Sequence, residues 1–360
     1  MNRKSKVDNK EILDKLVKAI QSHTSQNYSF MEVCGTHTVA IFRSGIRSIL
    51  PGNLKVISGP GCPVCVTPMA EIDEAIYLAK KDNVILATFG DLMRVPGNEG
   101  SLLQARAEGA RVKIILSPMD AVLLAERERF SRVILFAVGF ETTIPPIAIA
   151  IKEANRRGLK NFFVLSSMRL IPPAMEALLS DKKTSIDGFI LPGHVSVIIG
   201  TKPYRFIAER FHAPGVVTGF EPIDILQGLL MLLRQKSEGR SEIEIQYRRA
   251  VTPEGNVKAM EVLREVFKVR DSRWRGLGII QDSGLKLKDK YAPFDARKHF
   301  DIPIMPENEP PGCICGEILQ GIRVPTQCAL FGKRCTPENP VGPCMVSSEG
   351  SCAAYYKYGN

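Results

Sequence analysis

The sequence predicts an α/β protein with two doubly wound, Rossmann-like parallel-sheet domains, followed by a loop-rich C-terminal region. Three observations predict this fold: short apolar β-branched runs, glycine-containing turns after them, and amphipathic segments between them. Strands that alternate with helices form parallel sheets covered by those helices. The runs are Phe30–Val33, Leu54–Ile57, Val84–Phe89, Val112–Leu116, Val133–Val138, Phe162–Leu165, Phe189–Leu191 and Val216–Thr218.

Amphipathic segments over Pro68–Lys81, Pro118–Glu128 and Ile144–Arg157 predict helices between the strands. Two of them begin with a hydroxyl residue followed by proline, at Thr67 and Ser117. A hydroxyl at the N-cap accepts a hydrogen bond from the first turn, and proline suits the first helical position.

Three domains are expected. Residues 1–128 and 129–240 would each hold an α/β domain of about four strands, because one large sheet needs a core bigger than typical. Residues 241–360 would form a mixed C-terminal region. After Trp274 the chain is rich in Gly, Pro and Cys, so this tail cannot build much of an apolar core by itself. It needs cross-links for stability, and a bound metal cluster can supply them.

The composition is that of a globular protein: 360 residues, 44% hydrophobic, with a net charge of +10. Lys and Arg are interspersed with Asp and Glu, which indicates solvated surface rather than a nucleic-acid face and leaves an acidic protein partner as an alternative. We find neither a secretory leader nor a run of about 18 apolar residues, so a cytoplasmic protein without a membrane span is expected.

The nine cysteines are the most informative feature of the composition. Structural disulfides are rare in reducing compartments, so metal binding or redox chemistry is the main explanation. An odd number also leaves at least one thiol unpaired in any disulfide scheme.

Polar, glycine-rich turns follow six of the predicted strands. Ligands bind outside the carboxyl ends of strands in open α/β sheets, so these turns predict a lined cleft. In the alternative interpretation, glycine and proline only end strands, while Thr and Glu cap helices. The turns are EVCGTHT, SGPGCPVC, FGD, VGFETT, LPGH and TGFEP.

Cys34 lies at the end of the first strand, just before a helical segment. A helix start stabilises a thiolate, so we expect the pKa of Cys34 to be lowered, with His37 orienting or deprotonating the thiol. The alternative is an inert buried cysteine beside a capping histidine.

Cys62 and Cys65 form a CxxC motif on a glycine-rich turn that leads into a helix. This arrangement predicts a redox-active pair in which the helix start makes one thiol acidic. A CxxC can also be half of a zinc or cluster site, although the chain has no second CxxC to complete a four-cysteine zinc knuckle.

Six cysteines fall within the last part of the chain with the spacing C-x-C-x12-C-x6-C-x8-C-x7-C. A [4Fe–4S] cluster takes four thiolates at wide spacing, whereas structural zinc usually has close pairs. The pattern therefore favours a cluster over zinc, with disulfides third. The cysteines are Cys313, Cys315, Cys328, Cys335, Cys344 and Cys352.

Several of these stretches, in this order along the chain, resemble the hydrogenase expression and formation protein family HypD. They are MEVCGTHT, GPGCPVC, GFETT, PGHVS, GFEP, CGEILQG and QCALFGKRCTPENPVGPCMVSSEGSCAAYYKY. The resemblance implies a scaffold for [NiFe]-hydrogenase maturation rather than a conventional turnover enzyme. On such a scaffold, iron acquires cyanide and carbon monoxide ligands.

The implied partners are a small HypC-like chaperone and a HypE-like enzyme that donates cyanide from a carbamoyl-derived thiocyanate. The family is similar to ferredoxin–thioredoxin reductase in placing a [4Fe–4S] cluster near a redox-active cysteine pair. A stand-alone iron–sulfur thiol–disulfide reductase and a structural zinc protein are the alternative functions.

The resemblance also implies roles for single residues. Cys34 would bind iron transiently beside His37, and Cys62 and Cys65 would be the redox pair. The cluster ligands would be Cys315, Cys328, Cys335 and Cys352, with Cys344 and Cys313 as alternates. The residues lining the cleft would be Thr36, Thr38, Glu141, Thr142, Thr143, His194 and Glu221.

Overall fold

The computed structural model describes residues 3–181 and 183–359. Within these ranges, parallel strands form two sheets, and the last two strands form an antiparallel hairpin. The strands are β1 Tyr28–Glu32, β2 Leu54–Ser58, β3 Val84–Thr88, β4 Val112–Ile114, β5 Arg132–Gly139, β6 Phe162–Met168, β7 Gly188–Pro192, β8 Gly215–Thr218, β9 Ile243–Ile245, β10 Phe267–Trp274 and β11 Gly278–Leu287.

Helices cover both sheets, so the predicted α/β class with parallel sheets is confirmed. All the predicted apolar runs are strands, β1 to β8. The helices are α1 Arg3–His23, α2 Gly35–Arg43, α3 Ile46–Ile49, α4 Met69–Ala79, α5 Leu102–Ala107, α6 Pro118–Arg127, α7 Ile144–Arg156, α8 Ile171–Ser180, α9 Gly193–Ile199, α10 Arg205–Phe211, α11 Pro222–Ser237, α12 Val257–Val266, α13 Ala296–His299, α14 Cys315–Leu319, α15 Pro343–Val346 and α16 Ser351–Tyr358. None of the helices in the described residues is both long and apolar enough to cross a membrane.

The division into residues 1–128, 129–240 and 241–360 does not follow the sheets and is corrected. The first sheet has the order β2-β1-β7-β8-β9, and the second has the order β4-β3-β5-β6. Residue 128 therefore falls between two strands of the second sheet, and β9 joins the first sheet from beyond residue 240. The physical reason is that β7 pairs with β1, with Phe30 opposite Gly188, so the second sheet is an insertion in the first.

Two helix N-caps were predicted from a hydroxyl residue followed by proline, and one of them is confirmed. Ser117 caps α6 and accepts a hydrogen bond from the Met119 amide, as predicted. Thr67 does not cap α4, because its hydroxyl donates to the carbonyl oxygen of Pro63 at 2.8 Å and Pro68 occupies the N-cap.

The β10–β11 hairpin packs against both parallel sheets. Leu285 belongs to the core on one face of the second sheet, and Trp274 belongs to the core of the first. The region after Trp274 is expected to be loop-rich. This expectation is wrong for residues 278–287, which form the strand β11. At the junction, the buried Arg169 guanidinium forms an ion pair with Glu71 at 3.0 Å.

The tail after the hairpin is built of short helices and turns, as expected. Cys315, Leu319 and Cys344 pack in the same apolar core as Phe189 of β7 and Trp274. Cys315 and Cys344 of the tail therefore lie against the first sheet, on the side where the CxxC motif also packs.

Candidate functional site

The turns after β1 and β2 contact each other directly. The Gly35 amide donates to the carbonyl oxygen of Gly61 at 3.0 Å. A Cβ atom at Gly61 would lie 2.2 Å from the backbone nitrogen of Cys34, so only glycine fits at this position. Cys34 is thus held against the residue that precedes Cys62.

Cys34 lies in a buried pocket next to a carboxyl group. Its amide donates to Oε2 of Glu32 at 3.0 Å, and Thr38 donates a short hydrogen bond to the other oxygen of the same carboxyl. Burial raises the pKa of Glu32 to about 8, so this carboxyl is largely neutral at pH 7.

The expectation of an acidic Cys34 thiol is wrong. Burial raises the pKa of Cys34 to about 12, although the backbone amides of His37 and Thr36 at the start of α2 act in the opposite direction. Desolvation of the thiolate therefore outweighs the helix start. Without a metal, Cys34 is a neutral thiol at pH 7.

His37 is turned toward β8 rather than acting as a base for Cys34. Its Nε2 lies 2.9 Å from the carbonyl oxygen of Gly219 and 2.9 Å from Oγ1 of Thr218. A carbonyl only accepts, so Nε2 carries the proton and Nδ1 is the free acceptor. Burial lowers the pKa of His37 to about 4, which keeps the ring neutral.

Both CxxC cysteines are buried, with 4% of Cys62 and 1% of Cys65 exposed. The Cys65 amide donates to Sγ of Cys62 at 3.3 Å. Cys65 is not an acidic thiol, because burial and the neighbouring thiols of Cys344 and Cys62 raise the pKa of Cys65 well above its ordinary value. The thiol of Cys62 donates to Oγ of Ser347 at 3.4 Å.

All six tail cysteines line one small apolar cavity. Its other lining residues are Ile314, Ile318, Leu330, Phe331, Gly342 and Met345, with no carboxylate or imidazole among the described residues of the wall. A donor set of sulfur alone suits soft metals and iron–sulfur clusters.

No described group of three or more His, Cys, Asp or Glu residues is gathered tightly enough to hold a single metal ion. A [4Fe–4S] cluster does not require that geometry, because each thiolate binds a different iron.

Cys344 connects the CxxC motif to the tail cavity. Its sulfur lies 3.1 Å from that of Cys315, and its thiol also interacts with those of Cys352 and Cys65. A line of buried thiols therefore runs from the CxxC motif into the cavity, and the backbone contact of Gly35 with Gly61 places the turn that holds Cys34 beside that motif.

The remaining predicted residues of the cleft are spread over several environments. Glu141 is buried and accepts a hydrogen bond from the Ile171 amide at 2.9 Å, and burial raises its pKa to about 7. Thr143 is half-buried at the N-cap of α7, whereas Thr142 and Glu221 are exposed. The His194 ring is exposed and stacks on Phe220, with their centroids 4.0 Å apart.

Sequence reasoning missed Glu349, which comes from the tail. Its Oε1 accepts a hydrogen bond from the Thr36 hydroxyl at 2.6 Å. Both residues line an open groove of about 700 Å³ between α2, α16 and the start of α11. The lining of this groove also includes Arg43, Phe220 and Lys357.

Sequence reasoning also missed Arg275, a fully buried arginine beside the cysteines. Its amide donates to the carbonyl oxygen of Val66 at 2.9 Å, and Nε donates to Glu309 at 3.1 Å. Its two terminal nitrogens have no hydrogen-bond partner among the described residues. Burial raises the pKa of Cys313 to about 12, and the positive charge of Arg275 partly offsets this effect.

This combination defines an α/β protein with a group of buried thiols between its first sheet and its C-terminal tail. A profile named HypD and described as "Hydrogenase formation hypA family" matches residues 11–359. The chain therefore belongs to the HypD family of hydrogenase formation proteins.

Curated relatives cover nearly the whole chain. "Hydrogenase maturation factor HypD2" of Bradyrhizobium diazoefficiens is 49% identical over 360 residues, covering 97% of this chain and 95% of that protein. HypD of Escherichia coli K12 is 49% identical over 329 residues, covering 91% and 88%. A putative hydrogenase expression/formation protein of Methanocaldococcus jannaschii is 47% identical over 349 residues, covering 97% and 96%.

Proposed function

We propose that this chain is a scaffold for [NiFe]-hydrogenase maturation on which an iron ion, held at Cys34, acquires cyanide and carbon monoxide ligands. The observation that carries this proposal is the line of buried thiols from the CxxC motif to the tail cavity, with the turn that holds Cys34 in backbone contact with that motif. It supplies a soft ligand for the iron and a redox pair next to it in one continuous structure.

The environment of Cys34 keeps its sulfur protonated until iron binds. The thiol is neutral without metal because burial raises its pKa to about 12, so it resists oxidation and alkylation. Binding iron breaks the S–H bond, forms an Fe–S bond and releases the proton. The carboxyl of Glu32, with a pKa of about 8, keeps a second negative charge away from the thiolate at pH 7.

The cavity of the tail fits a resident [4Fe–4S] cluster, which would store electrons close to the CxxC pair. Cys315 and Cys344 have sulfurs 3.1 Å apart, closer than two thiolates bound to different irons would stand. We therefore favour Cys313, Cys328, Cys335 and Cys352 as ligands. This set replaces Cys315 of the sequence-based set with Cys313.

Cys315 and Cys344 then form a second dithiol beside the CxxC pair. Exchange between the pairs is balanced: when Cys62 and Cys65 gain two electrons and two protons, Cys315 and Cys344 lose the same number and form a disulfide. The interaction of Cys344 with Cys65 provides the contact for this exchange.

The groove next to Thr36 is the proposed docking surface for the HypC-like chaperone. It opens beside the turn that holds Cys34, and it combines the cations Arg43 and Lys357 with the carboxylate of Glu349. A partner residue entering there would complete the coordination of the iron from the open side. The HypE-like enzyme would donate cyanide to the same iron.

Infrared spectroscopy tests the proposal. The chain is purified anaerobically with its chaperone, and cyanide and carbonyl stretching bands are recorded. The wild type is expected to show both bands and Cys34→Ala neither, while the exposed control Ser48→Ala keeps them. Bands retained in Cys34→Ala would remove Cys34 from the iron site.

The competing function is a thiol–disulfide reductase that acts alone. Such an enzyme needs the CxxC pair and an electron store but not Cys34. It would reduce a generic disulfide substrate without a partner and at the same rate in Cys34→Ala. A maturation scaffold is expected to show no such activity without its chaperone.

A further inference from the structure

The CxxC pair presents a problem of proton access. A thiolate, not a thiol, attacks in thiol–disulfide exchange, so a proton must leave before the reaction. Only 4% of Cys62 and 1% of Cys65 are exposed, so water cannot readily collect that proton.

A hydrogen-bonded path leads from Cys62 toward solvent. Sγ of Cys62 lies 3.4 Å from Oγ of Ser347, and that hydroxyl lies 3.0 Å from Oδ2 of Asp91. Ser347 is itself buried, whereas Asp91 is half-buried at the surface end of the path. Asp91 belongs to the FGD turn after β3, which the proposed function does not use.

The direction of these hydrogen bonds is fixed by their chemistry. An ionised carboxylate only accepts, so the single hydroxyl proton of Ser347 is donated to Asp91. The oxygen of Ser347 is then left to accept from the Cys62 thiol, and it also accepts from the Glu349 amide at 3.3 Å. Every donor along the path therefore points from the thiol toward the carboxylate.

A separate contact distinguishes Cys62 from Cys65. The Cys65 amide donates to Sγ of Cys62 at 3.3 Å, which stabilises negative charge on Cys62. Cys65 lies among the thiols of Cys344 and Cys62, and no hydroxyl donor to it is found in the described residues. The two cysteines of the motif are therefore not equivalent.

We propose that Ser347 and Asp91 form a proton relay for Cys62, which makes Cys62 the attacking thiolate of the pair. In the relay step the S–H bond of Cys62 breaks and its proton passes to Ser347, while the hydroxyl proton of Ser347 passes to Asp91. Cys62 becomes a thiolate, Ser347 stays neutral, and Asp91 becomes a carboxylic acid that releases its proton to water. The inference rests on the proposed redox role of the pair, and Ser347 and Asp91 are positioning residues.

The test measures how fast iodoacetamide alkylates Cys62 in the reduced, anaerobic protein, followed by mass spectrometry of the peptide. Ser347→Ala and Asp91→Asn are each expected to slow the reaction at least about tenfold, a threshold set below the roughly 10²–10⁴-fold that a positioned acid or base contributes. Ser347→Thr keeps the hydroxyl and is expected to react at close to the wild-type rate. The exposed Asp82 lies before β3 as Asp91 lies after it, so Asp82→Asn is the matched control.

A double variant separates a relay from structural damage. Because both residues act in one path, Ser347→Ala combined with Asp91→Asn is expected to be no slower than Ser347→Ala alone. Wild-type rates in both single variants would overturn the relay, and so would faster alkylation of Cys65 than of Cys62 in the wild type. Slow alkylation in the variants, together with missing infrared bands in the wild type, would keep the relay and reject the maturation function.

Discussion

The sulfur atoms of Cys315 and Cys344 lie 3.1 Å apart, although 29 positions separate the two residues in the chain. This contact pairs two of the six cysteines around the tail cavity and leaves four. A four-iron cluster needs four thiolates, so under the proposed function these four would be its ligands and the close pair would be a dithiol.

The first prediction concerns iron content. Cys313→Ser is expected to lose most of the roughly four irons per chain that a [4Fe–4S] protein carries, because a ligand is removed. Cys315→Ser is expected to keep them, because the serine replaces only a member of the dithiol. Iron analysis and visible absorbance of anaerobic protein measure both variants. Equal loss in the two variants would return Cys315 to the ligand set.

A second prediction concerns Gly61, whose missing side chain leaves room for the backbone of Cys34. A Cβ atom there would meet the Cys34 nitrogen at 2.2 Å, so Gly61→Ala must displace the turn. We expect a loss of on the order of 1–3 kcal/mol in the free energy of unfolding, as in other overpacked sites, and loss of the infrared bands. Gly52→Ala is the control, because nothing lies within 4 Å of that position. Normal bands in Gly61→Ala would show that the turn adjusts freely.

A third prediction uses the buried carboxyl of Glu32. In the folded chain, burial raises the pKa of the Glu32 carboxyl to about 8, compared with an ordinary value of 4.5. The folded state therefore binds more protons than the unfolded state between these values, and this group makes stability fall as pH rises through that window. Urea unfolding of Glu32→Gln across the window is expected to give a shallower fall than the wild type. The exposed Glu261→Gln should follow the wild-type curve.

A fourth prediction concerns the charge pair where the hairpin meets the second sheet. Burial raises the pKa of Glu71, but Arg169 and Arg297 more than offset it and hold the pKa below its ordinary value. Only 1% of the Arg169 side chain is exposed, so Arg169→Met leaves the Glu71 charge buried with one cation fewer. Urea unfolding is expected to show a loss of about 3–5 kcal/mol.

Arg210→Met is the control for that substitution. Arg210 pairs with Glu176 at the surface, with 60% of its side chain exposed, so its loss is expected to cost under about 1 kcal/mol. Similar losses for Arg169→Met and Arg210→Met would contradict a structural role for the buried pair.

The strands could be predicted because β-branched runs between glycine turns carry a local signal. Their partners could not, since β7 returns to β1 only after the whole second sheet has been inserted. Both strands of the hairpin were also missed. Burial alternates irregularly along β10 and β11, and Gly278 and Gly284 interrupt the apolar pattern of β11.

The cysteines of the site could be predicted from the sequence. The direction in which the pKa of Cys34 shifts could not. A helix start is visible in the sequence, whereas the depth of burial that overcomes it depends on contacts with Gly61 and the tail. Glu349 and Ser347 were missed for the same reason, because more than 280 positions separate each from its partner in the site. Only the SSEG segment that contains them, which lies between Cys344 and Cys352, indicated their position.

The insertion of β3 to β6 between β2 and β7 also determines when the first sheet can form during synthesis of the chain. A nascent chain leaves the ribosome from its N-terminus, so β1 has no β7 to pair with until residue 188 has been made. The hydrogen bond from Thr36 to Glu349 can form only later, after Glu349 has been synthesised. A half-translated chain thus exposes Cys34 without its surroundings, so the pocket around Cys34 is complete only after nearly the whole chain has been made.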